Sequence, residues 1–421
     1  MSVESVPANY VDRTMLVLHR LDEPNWYIGA GIRYAGALPS HEHFRRFVLA
    51  AIDAAPVLRY RRTGRIRTAK WVPDHEIDVD QHIEYHRLPP GGDPYNAAMR
   101  AIRYTSLPMD RPLWKVHLLH GYKTGEYTLC YQASHAFQDG MSAMATLRAV
   151  MTGVPLRPPP VTRYPGRSTL CGILRTLPEL RPYPSDPRWR PPADTTGALL
   201  FRVAHLNLDT VQEIAARTDC GPAQVTLAAV TGAMHHWNPR RKGGPHRRPR
   251  AFNVFMPTSF GDGRRNGGLG THSGIMPLVL PGDEPSPYRR LLAIREAVSL
   301  KHVISLRRNQ SFVDGLGFPP ARIVESVMRL TDPMASILTR GHIVFTMLPA
   351  NSFEIPDAID LFIVPPLPWR IGAYFNAVHS STGITIGCGM NGDLPDVDQF
   401  PDLIQDALTE LHDATAQMTR R

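Results

Sequence analysis

Cysteine is scarce in this sequence, and the few cysteines present do not form pairs. Four occur in 421 residues, far apart and without a C-x-x-C spacing: Cys130, Cys171, Cys220 and Cys388. This pattern excludes a zinc knuckle and a disulfide framework. We therefore expect a protein whose thiols stay reduced.

Long apolar runs and a basic leader are also lacking. No run approaches the roughly 20 apolar residues that a transmembrane helix needs. Met1–Asn9 has neither a basic start nor an apolar centre, so it does not resemble a signal peptide. We expect a cytoplasmic protein, and we leave open a peripheral contact with the inner face of the membrane.

Three common catalytic signatures are missing. There is no G-x-S-x-G elbow, which argues against a serine hydrolase, and no P-loop. Gly268, Gly270 and Gly274 have the wrong spacing for a dinucleotide fingerprint, and a loop rather than a strand leads into them. We therefore reject a dinucleotide-binding domain.

The net charge of +9 is concentrated in two basic runs, Arg59–Arg67 and Arg240–Arg250. Neither run is interleaved with aromatic residues and no nucleic-acid motif accompanies them, so we expect no nucleic-acid partner. Each run is either a solvated loop or an attraction for an anionic partner. Coenzyme A phosphates, an acidic carrier protein and a membrane surface are the candidate anionic partners.

Two histidine pairs are candidate metal ligands. His41 and His43 are separated by one residue, and His235 and His236 are adjacent. On helices such pairs are more often surface or packing residues, and no further ligands can be assigned to them from spacing alone. The sequence therefore predicts no metal site.

One short stretch combines a strand end, a histidine and a helix start. Tyr127–Ala133 has the aromatic and β-branched residues of a buried strand, and Met141–Val150 consists of good helix formers. Between them lie His135, which suits proton transfer near neutral pH, and Asp139, which can return across the turn to fix the loop. Gly140 is expected to adopt a backbone angle that other residues resist.

The chain divides at a proline-rich segment. We predict an N-terminal lobe of residues 1–152, a crossover linker of residues 153–198 and a C-terminal lobe of residues 199–421, in an α/β (α+β) fold. Proline at the density found within residues 151–192 cannot hold a sheet or a long helix, except for a short apolar helix over Leu170–Leu177.

Hydrophobic patterns predict the elements of both lobes. In the first lobe these are strands at Trp26–Tyr34 and Trp114–His120, and a helix over His41–Ile52 capped by Ser40. In the second lobe the predicted strands are Leu199–Leu208, Ala251–Pro257 and His342–Ala350, with a hairpin formed by Ala373–Gly383 and Ile384–Asn391. The predicted helices there are Leu208–Thr218, Ala223–Trp237, Tyr288–His302 and Val397–Ala416, and Gly261–Gly274 is a predicted loop.

The His-x-x-x-Asp-Gly pattern of His135, Asp139 and Gly140 resembles the signature of the chloramphenicol acetyltransferase-like superfamily. A Pro112-Leu113-Trp114 tripeptide at the start of the preceding strand narrows the resemblance. In this order, the two motifs are similar to those of the bacterial wax ester synthase/diacylglycerol acyltransferases.

The chain departs from that family at several positions. Ser134 replaces the first of two consecutive histidines, and Ala223-Gln224 stands where the family has Asn-Asp. Met347–Asn351 keeps the proline of an Asn-Val-Pro-Gly-Pro strand end but not its glycine or its second proline. Gly383 matches a turn glycine, and Asn376 lies one residue away from the register of the family's asparagine.

The resemblance implies two lobes with mixed sheets and a tunnel between them, which donor and acceptor enter from opposite faces. It implies that His135 is the general base of acyl transfer from a thioester, while Asp139 is architectural and held by a nearby cation such as an arginine. No permanent cofactor is expected, because an acyl-CoA or a phosphopantetheine thioester is the co-substrate. The predicted substrate-binding residues are Ser134, Trp114, Thr271, His272, Ser273 and Asn376.

The oxyanion of the tetrahedral intermediate needs hydrogen-bond donors. The predicted donors are the Ser134 hydroxyl, a backbone N–H near Gly140, or a side chain of Thr271, His272 or Ser273.

Three functions are compatible with these residues. The first is an O-acyltransferase that moves an acyl group from acyl-CoA to an alcohol. The second is a condensation enzyme of natural-product biosynthesis that takes its acyl group from an acidic acyl or peptidyl carrier protein and forms an ester or an amide. The third is a non-catalytic relative, which the departures at Ser134, Ala223 and Met347–Asn351 leave open.

Overall fold

The structure is a computed structural model of the chain. It describes residues 5–21, 26–159, 199–237, 251–259, 267–298, 319–326, 342–350, 354–366, 373–381, 383–392 and 396–419. The predicted helix at Leu170–Leu177, most of the predicted linker and the second basic run lie outside the described residues.

Eight helices are labelled here in chain order: α1 Tyr10–Leu21, α2 His41–Ala54, α3 Pro94–Tyr104, α4 Gly140–Thr152, α5 Leu208–Thr218, α6 Pro222–His236, α7 Pro287–Ala297 and α8 Phe400–Thr419. Residues 321–326 are also helical. Side-chain caps begin several of them. The Ser40 hydroxyl, for example, accepts the N–H of His43 at 3.2 Å and starts α2 as predicted.

The strands are labelled β1 Val6–Pro7, β2 Tyr27–Ala35, β3 Tyr60–Thr63, β4 Lys70–Pro73, β5 Ile83–Arg87, β6 Trp114–His120, β7 Glu126–Ser134, β8 Leu199–Leu206, β9 Ala251–Ser259, β10 Ser273–Pro281, β11 His342–Pro349, β12 Ala358–Val364, β13 Ala373–His379 and β14 Ile384–Asn391. They form three sheets. One is a small antiparallel sheet, β1-β4-β3, and the other two are mixed.

The first mixed sheet belongs mainly to the N-terminal half. Its order is β12-β2-β7-β6-β5, and all neighbours are antiparallel except β5 and β6. Helix α3 packs on β2, β6 and β7. Residues of α2 belong to the same buried cluster as Trp71, Trp114 and Phe137, and this cluster is separate from the main cluster of the second mixed sheet.

The second mixed sheet belongs to the C-terminal half. Its order is β10-β9-β11-β13-β14-β8, with β11 parallel to both β9 and β13. Helix α8 packs on α5, α6 and β8, and Phe400, Ile404 and Leu408 supply the buried stripe that the sequence predicts. The prediction of an α/β fold with two mixed sheets is confirmed.

Strand β12 crosses from the second half into the first sheet. It pairs antiparallel with β2, and Gly31 lies opposite Phe362. A Cβ at Gly31 would lie 2.2 Å from the Phe362 ring, so close approach of the two strands requires glycine there. The chain-order division into lobes does not include this exchange, because no local pattern marks β12 as a partner of β2.

A cluster of charged and polar side chains attaches β12 to the first mixed sheet. Arg33 of β2 donates to Asp360 of β12 at 3.0 Å and to Glu126 of β7 at 2.8 Å. The Tyr95 hydroxyl of α3 donates to the same Asp360 oxygen at 2.5 Å. The Asp360 side chain is only 5% exposed, so these bonds replace the hydration that its Oδ2 atom loses on burial.

Most predicted elements are found with small shifts in their ends. Trp114–His120 and Leu208–Thr218 have the predicted bounds, and the helix predicted over Ala223–Trp237 runs from Pro222 to His236. The terminal helix begins at Phe400 because residues 397–399 form a 3-10 turn, and it continues to Thr419. None of the helices in the described part of the chain is long and apolar enough to cross a bilayer.

Replacing Asp360 with alanine tests the attachment of β12. Asp360→Ala removes the acceptor shared by Arg33 and Tyr95, and we expect the free energy of unfolding to fall by about 1.5–3 kcal/mol, as for hydrogen bonds to charged groups. Urea unfolding followed by fluorescence measures this change. The control is Asp53→Ala, because Asp53 pairs with Arg59 at 3.1 Å but is 76% exposed and should contribute less than about 1 kcal/mol. Equal effects of the two substitutions would contradict the assignment.

Candidate acyltransferase site

His135 lies immediately after β7, at the start of a tight turn. Its backbone N–H donates to the carbonyl of Trp26 at 2.9 Å, which holds the end of β7 against the start of β2. The N–H groups of Phe137 and Gln138 both donate to the Ser134 carbonyl, at 2.9 and 3.1 Å. The imidazole is therefore carried by a hydrogen-bonded turn between a central strand and α4.

The His135 side chain is half-buried beside Thr271 of the C-terminal half. The Thr271 hydroxyl donates to the His135 carbonyl, and the Thr271 Oγ1 lies 3.4 Å from His135 Nδ1. Burial lowers the pKa of His135 below its usual value, while a hydrogen bond to its own backbone and the negative charge of Asp139 act in the opposite direction. The imidazole is therefore biased toward its neutral form.

Asp139 caps α4 and also holds the neighbouring loop. Its Oδ1 accepts the N–H of Ser142 at 2.8 Å, and its Oδ2 accepts the N–H of His272 at 2.9 Å. The expectation that a cation such as an arginine holds this carboxylate stays a prediction. Within the described residues, its hydrogen-bond partners are two backbone N–H groups.

Gly140 is required for space and not for its backbone angle. It is the first residue of α4 and does not have a positive φ, so the expected unusual backbone angle is wrong. A Cβ at Gly140 would lie 3.1 Å from Leu348 Cδ1, which is tighter than ordinary contact. Leu348 belongs to β11, in the region where the second-half motif was predicted, so this strand end packs against the histidine turn.

The loop of residues 267–272 is hydrogen-bonded to the His135–Gly140 turn, and Gly270 forms a parallel β-bridge with Gln138. Gly270 N–H donates to the Phe137 carbonyl at 2.7 Å, and Asp139 N–H donates to the Gly270 carbonyl at 3.3 Å. The Gln138 amide donates to the Gly268 carbonyl at 2.6 Å. Gly270 has a φ of +82°, a conformation that favours glycine.

A second buried carboxylate, Asp12 of α1, supports the same loop and was not predicted from the sequence. Its Oδ1 accepts Thr271 N–H at 2.7 Å, and its Oδ2 accepts Trp71 Nε1–H at 3.2 Å. Asn9 donates its side-chain amide to the Thr271 carbonyl at 3.0 Å. Burial raises the pKa of Asp12, while the charge of His272 and these hydrogen bonds lower it.

A local signal for Asp12 is present in the sequence. Asn9 and Asp12 exchange side-chain to backbone hydrogen bonds at 2.7 and 3.0 Å, which is the reciprocal pattern of a capping box at the start of α1. The spacing Asn-x-x-Asp before an apolar helix could have revealed this pair. Its second partner, Thr271, is 259 residues away and could not have been found this way.

The remaining predicted site residues occupy different places. Ser134 is fully buried, and its hydroxyl accepts Ala136 N–H at 3.3 Å, which closes the turn. Trp114 is 1% exposed, stacks on His82 and donates its Nε1–H to the Leu58 carbonyl. Ser273 begins β10, and Asn376 is buried in β13 of the second sheet. The structure thus brings His135, Asp139, Thr271 and His272 together, whereas roles for the other residues stay predictions.

A small apolar cavity lies next to the side chains that hydrogen-bond to Gln138. Tyr131 and Thr146 line it, and both hydrogen-bond to the Gln138 side chain, at 2.7 and 2.8 Å. Trp114 also forms part of its wall. Its volume of about 50 Å³ accommodates only a few carbon atoms.

The two mixed sheets, with a histidine turn at the end of a central strand, form the two-lobe chloramphenicol acetyltransferase-like fold. The model of the wax ester synthase/diacylglycerol acyltransferase catalytic domain matches residues 9–252. The chain belongs to this family, as the two sequence motifs predicted, and is an O-acyltransferase by that membership.

Curated proteins and solved structures agree with the family. A Mycobacterium bovis protein that carries the name diacylglycerol O-acyltransferase is 25% identical over 346 residues, which cover 69% of this chain and 68% of the relative. The wax ester synthase/diacylglycerol acyltransferase from Marinobacter aquaeolei VT8 has a TM-score of 0.62 at 17% identity and covers 98% of this chain and 100% of its own.

Condensation domains share the same fold. The first condensation domain of the calcium-dependent antibiotic synthetase has a TM-score of 0.61 at 16% identity, with 99% of this chain and 97% of that chain covered. A starter condensation domain of rhizomide synthetase, solved with C8-CoA, has a TM-score of 0.55 at 14% identity, covering 98% and 94%. At these identities the likeness shows the fold alone.

Substituting Asp139 tests its structural role. Asp139→Ala leaves the N–H groups of Ser142 and His272 without their acceptors, so we expect the free energy of unfolding to fall by about 2–4 kcal/mol and turnover to fall with it. Thermal melting and steady-state turnover are measured together. Asn207→Ala is the matched control, because Asn207 caps α5 by accepting Thr210 N–H at 2.9 Å on an exposed surface. It should lower stability by about 1 kcal/mol and leave turnover unchanged.

An Asp139→Ala variant that melts like the wild type but has no activity would contradict the structural role. That result would assign Asp139 a direct part in the chemistry.

Proposed function

We propose that this chain transfers an acyl group from a coenzyme A thioester to the hydroxyl of an alcohol, with His135 as the general base. The observation that carries the proposal is the orientation of His135, which has Nδ1 beside Thr271 and its own backbone. The family membership and the names of the curated relatives support the O-acyl transfer.

Thr271 selects the tautomer that a base requires. Its hydroxyl proton is used in the hydrogen bond to the His135 carbonyl, so its oxygen faces Nδ1 as an acceptor. Nδ1 therefore carries the proton, and the lone pair is on Nε2. A neutral imidazole with its lone pair on Nε2 can accept a proton from an acceptor hydroxyl.

The reaction then needs one proton acceptor and no covalent enzyme intermediate. The acceptor oxygen attacks the thioester carbonyl carbon while its proton moves to Nε2 of His135. The tetrahedral intermediate collapses by breaking the carbon–sulfur bond, and the coenzyme A thiolate takes the proton back from His135. The products are an ester and the free thiol.

Among the predicted oxyanion donors, the contacts of the described residues favour the backbone N–H of Gly140. The Ser134 hydroxyl is fully buried inside the turn, and the Thr271 hydroxyl already donates its proton to the His135 carbonyl. His272 uses its backbone N–H on Asp139, and its ring Nε2 lies 3.1 Å from the Leu269 carbonyl. The Gly140 N–H is among the first four of α4, which have no partner within the helix, and we assign it to the oxyanion.

Coenzyme A and a carrier protein are the two candidate carriers of the acyl group. The condensation domains share the fold but belong to synthetases, and one of them was solved with C8-CoA. In the described basic run, Arg59 and Arg61 already pair with Asp53 and Asp74. A preference for coenzyme A over a carrier protein must therefore be measured directly.

The experiment supplies the full chain with acyl-CoA or with the same acyl group on phosphopantetheinylated carrier protein. A long-chain alcohol, a diacylglycerol and an amine serve as acceptors, and mass spectrometry identifies the product. Ester formation with release of the coenzyme A thiol supports the proposal. Exclusive use of the carrier protein would indicate a condensation enzyme, and no product from either donor would indicate a non-catalytic relative.

Removing the imidazole tests the base directly. We expect His135→Ala to lower kcat by a factor of about 10² or more with an unchanged melting temperature, because one general base contributes about 10²–10⁴-fold. His75→Ala is the control, since His75 is exposed and lies outside the site. Near wild-type turnover in His135→Ala would remove the assignment.

The pH dependence follows from the lowered pKa of His135. Only neutral His135 accepts a proton, so kcat/KM falls as the pH drops through its pKa. Because burial favours the neutral form, the midpoint of this fall should lie below about 6.5, the ordinary histidine value. Initial rates of thiol release between about pH 5 and 8 give the profile. A midpoint at or above the ordinary value would contradict the burial argument.

A further inference from the structure

Three ligand-type side chains meet on the first sheet, outside the acyltransferase site. Glu84 and His86 lie two residues apart on the edge strand β5, and His117 lies on the neighbouring strand β6, directly opposite Glu84. His86 Nε2 is 3.0 Å from His117 Nδ1. Glu84 Oε2 is 3.6 Å from His86 Nε2 and 3.7 Å from His117 Nδ1.

Gln132 of β7 fixes the orientation of His117. The Gln132 amide donates to the carbonyls of Ile102 and Thr105, both at 2.7 Å, so its Oε1 is the atom that faces His117 Nε2 at 2.9 Å. His117 Nε2 therefore carries a proton, and the Nδ1 lone pair points toward Glu84 and His86. A hydrogen bond of this kind on the far ring nitrogen is the usual support of a metal-binding histidine.

The spacing of the three ligand atoms is close to that around a tetrahedral ion. Ligands at Zn–N and Zn–O distances near 2.0–2.2 Å lie about 3.3–3.5 Å apart. The three observed separations, 3.0, 3.6 and 3.7 Å, lie on both sides of this range. We propose that Glu84, His86 and His117 bind one Zn²⁺ ion, or a similar divalent transition metal, with water as the fourth ligand.

Solvent can reach this position. The side chains of His86 and Glu84 are each 31% exposed, and His86 forms part of the wall of an open groove beside α3, whereas His117 is fully buried. The buried ligand, His117, is thus the one held in a fixed orientation, and the partly exposed side chains of Glu84 and His86 lie between the ion and solvent. Such an ion links the edge strand β5 to β6.

Lys115 of β6 opposes binding. Its ammonium group donates to Glu84 Oε1, which leaves Oε2 to face the histidines. The positive charge next to the ligand set lowers the affinity for a cation. Lys115 therefore weakens metal binding at this site, and removing its charge should raise the affinity for the ion.

The sequence alone does not indicate this site, because a search for closely spaced histidines finds other pairs and misses these three residues. Glu84 and His117 are 33 positions apart in the sequence, and only the parallel pairing of β5 with β6 joins them. In the part of the chain that the structure describes, these three residues are the group of His, Cys, Asp or Glu side chains that approach one another closely enough to share an ion.

The test uses the full chain without a polyhistidine tag, freed of metal by a chelator. Titration with Co²⁺ followed by visible absorption reports four-coordinate binding, and calorimetry with Zn²⁺ gives stoichiometry and affinity. We expect one equivalent to bind, and His86→Ala to weaken binding by about 10-fold or more. Lys115→Met should bind more tightly than the wild type, and exposed His43→Ala should equal the wild type.

Two results would overturn the proposal. One is the absence of saturable binding by the wild type, and the other is wild-type affinity in His86→Ala. Circular dichroism and thermal melting of the metal-free variants establish that they are folded. If His86→Ala does not fold, Glu84→Gln replaces it, with the same expected loss of affinity.

Discussion

Two buried carboxylates hold the centre of this structure together by accepting consecutive backbone N–H groups. Asp12 accepts the N–H of Thr271, and Asp139 accepts the N–H of His272. Both carboxylates are almost fully buried, so each would be unfavourable there without hydrogen-bond donors. The short loop of residues 267–272 is therefore held from two sides by the carboxylates of Asp12 and Asp139.

These two carboxylates determine the position of His135, because the loop that they hold is hydrogen-bonded to the histidine turn. Thr271 contacts both ends of His135, its Nδ1 and its carbonyl, while its own backbone is held by Asp12 and Asn9. A side chain from the C-terminal half thus orients the imidazole of His135 in the N-terminal half. The site exists only when the two halves are assembled.

Part of this arrangement could be predicted from the sequence because its signals are local. His135, Asp139 and the cap of α4 lie within one turn, and the strand pattern of Tyr127–Ala133 shows where that turn begins. Gly140 was identified for the wrong reason, since its neighbour Leu348 comes from a distant strand. Glycine can indicate either an unusual angle or a close contact, and sequence alone does not separate the two.

Long-range pairings were not predictable, since no periodicity records them. The bond from Asp12 to Thr271 spans 259 residues, and the joining of Glu84 with His117 depends on which strands become neighbours. Strand β12 is the largest example. It ends in the continuous apolar run of an ordinary buried strand, and the choice of β2 as a partner depends on Arg33, Gly31 and the space that Phe362 fills.

The exchange of β12 also has a consequence for synthesis of the chain. On the ribosome, β2 and β7 are made first, and β12 ends at Val364, about 230 residues after β7. At about 5–20 residues per second, the outer edge of β2 waits about 10–50 s for its last neighbour. During that time its unpaired N–H and C=O groups can pair with another nascent chain. Aggregation during expression is therefore a hazard built into the topology, and chaperones that bind exposed strand edges would relieve it.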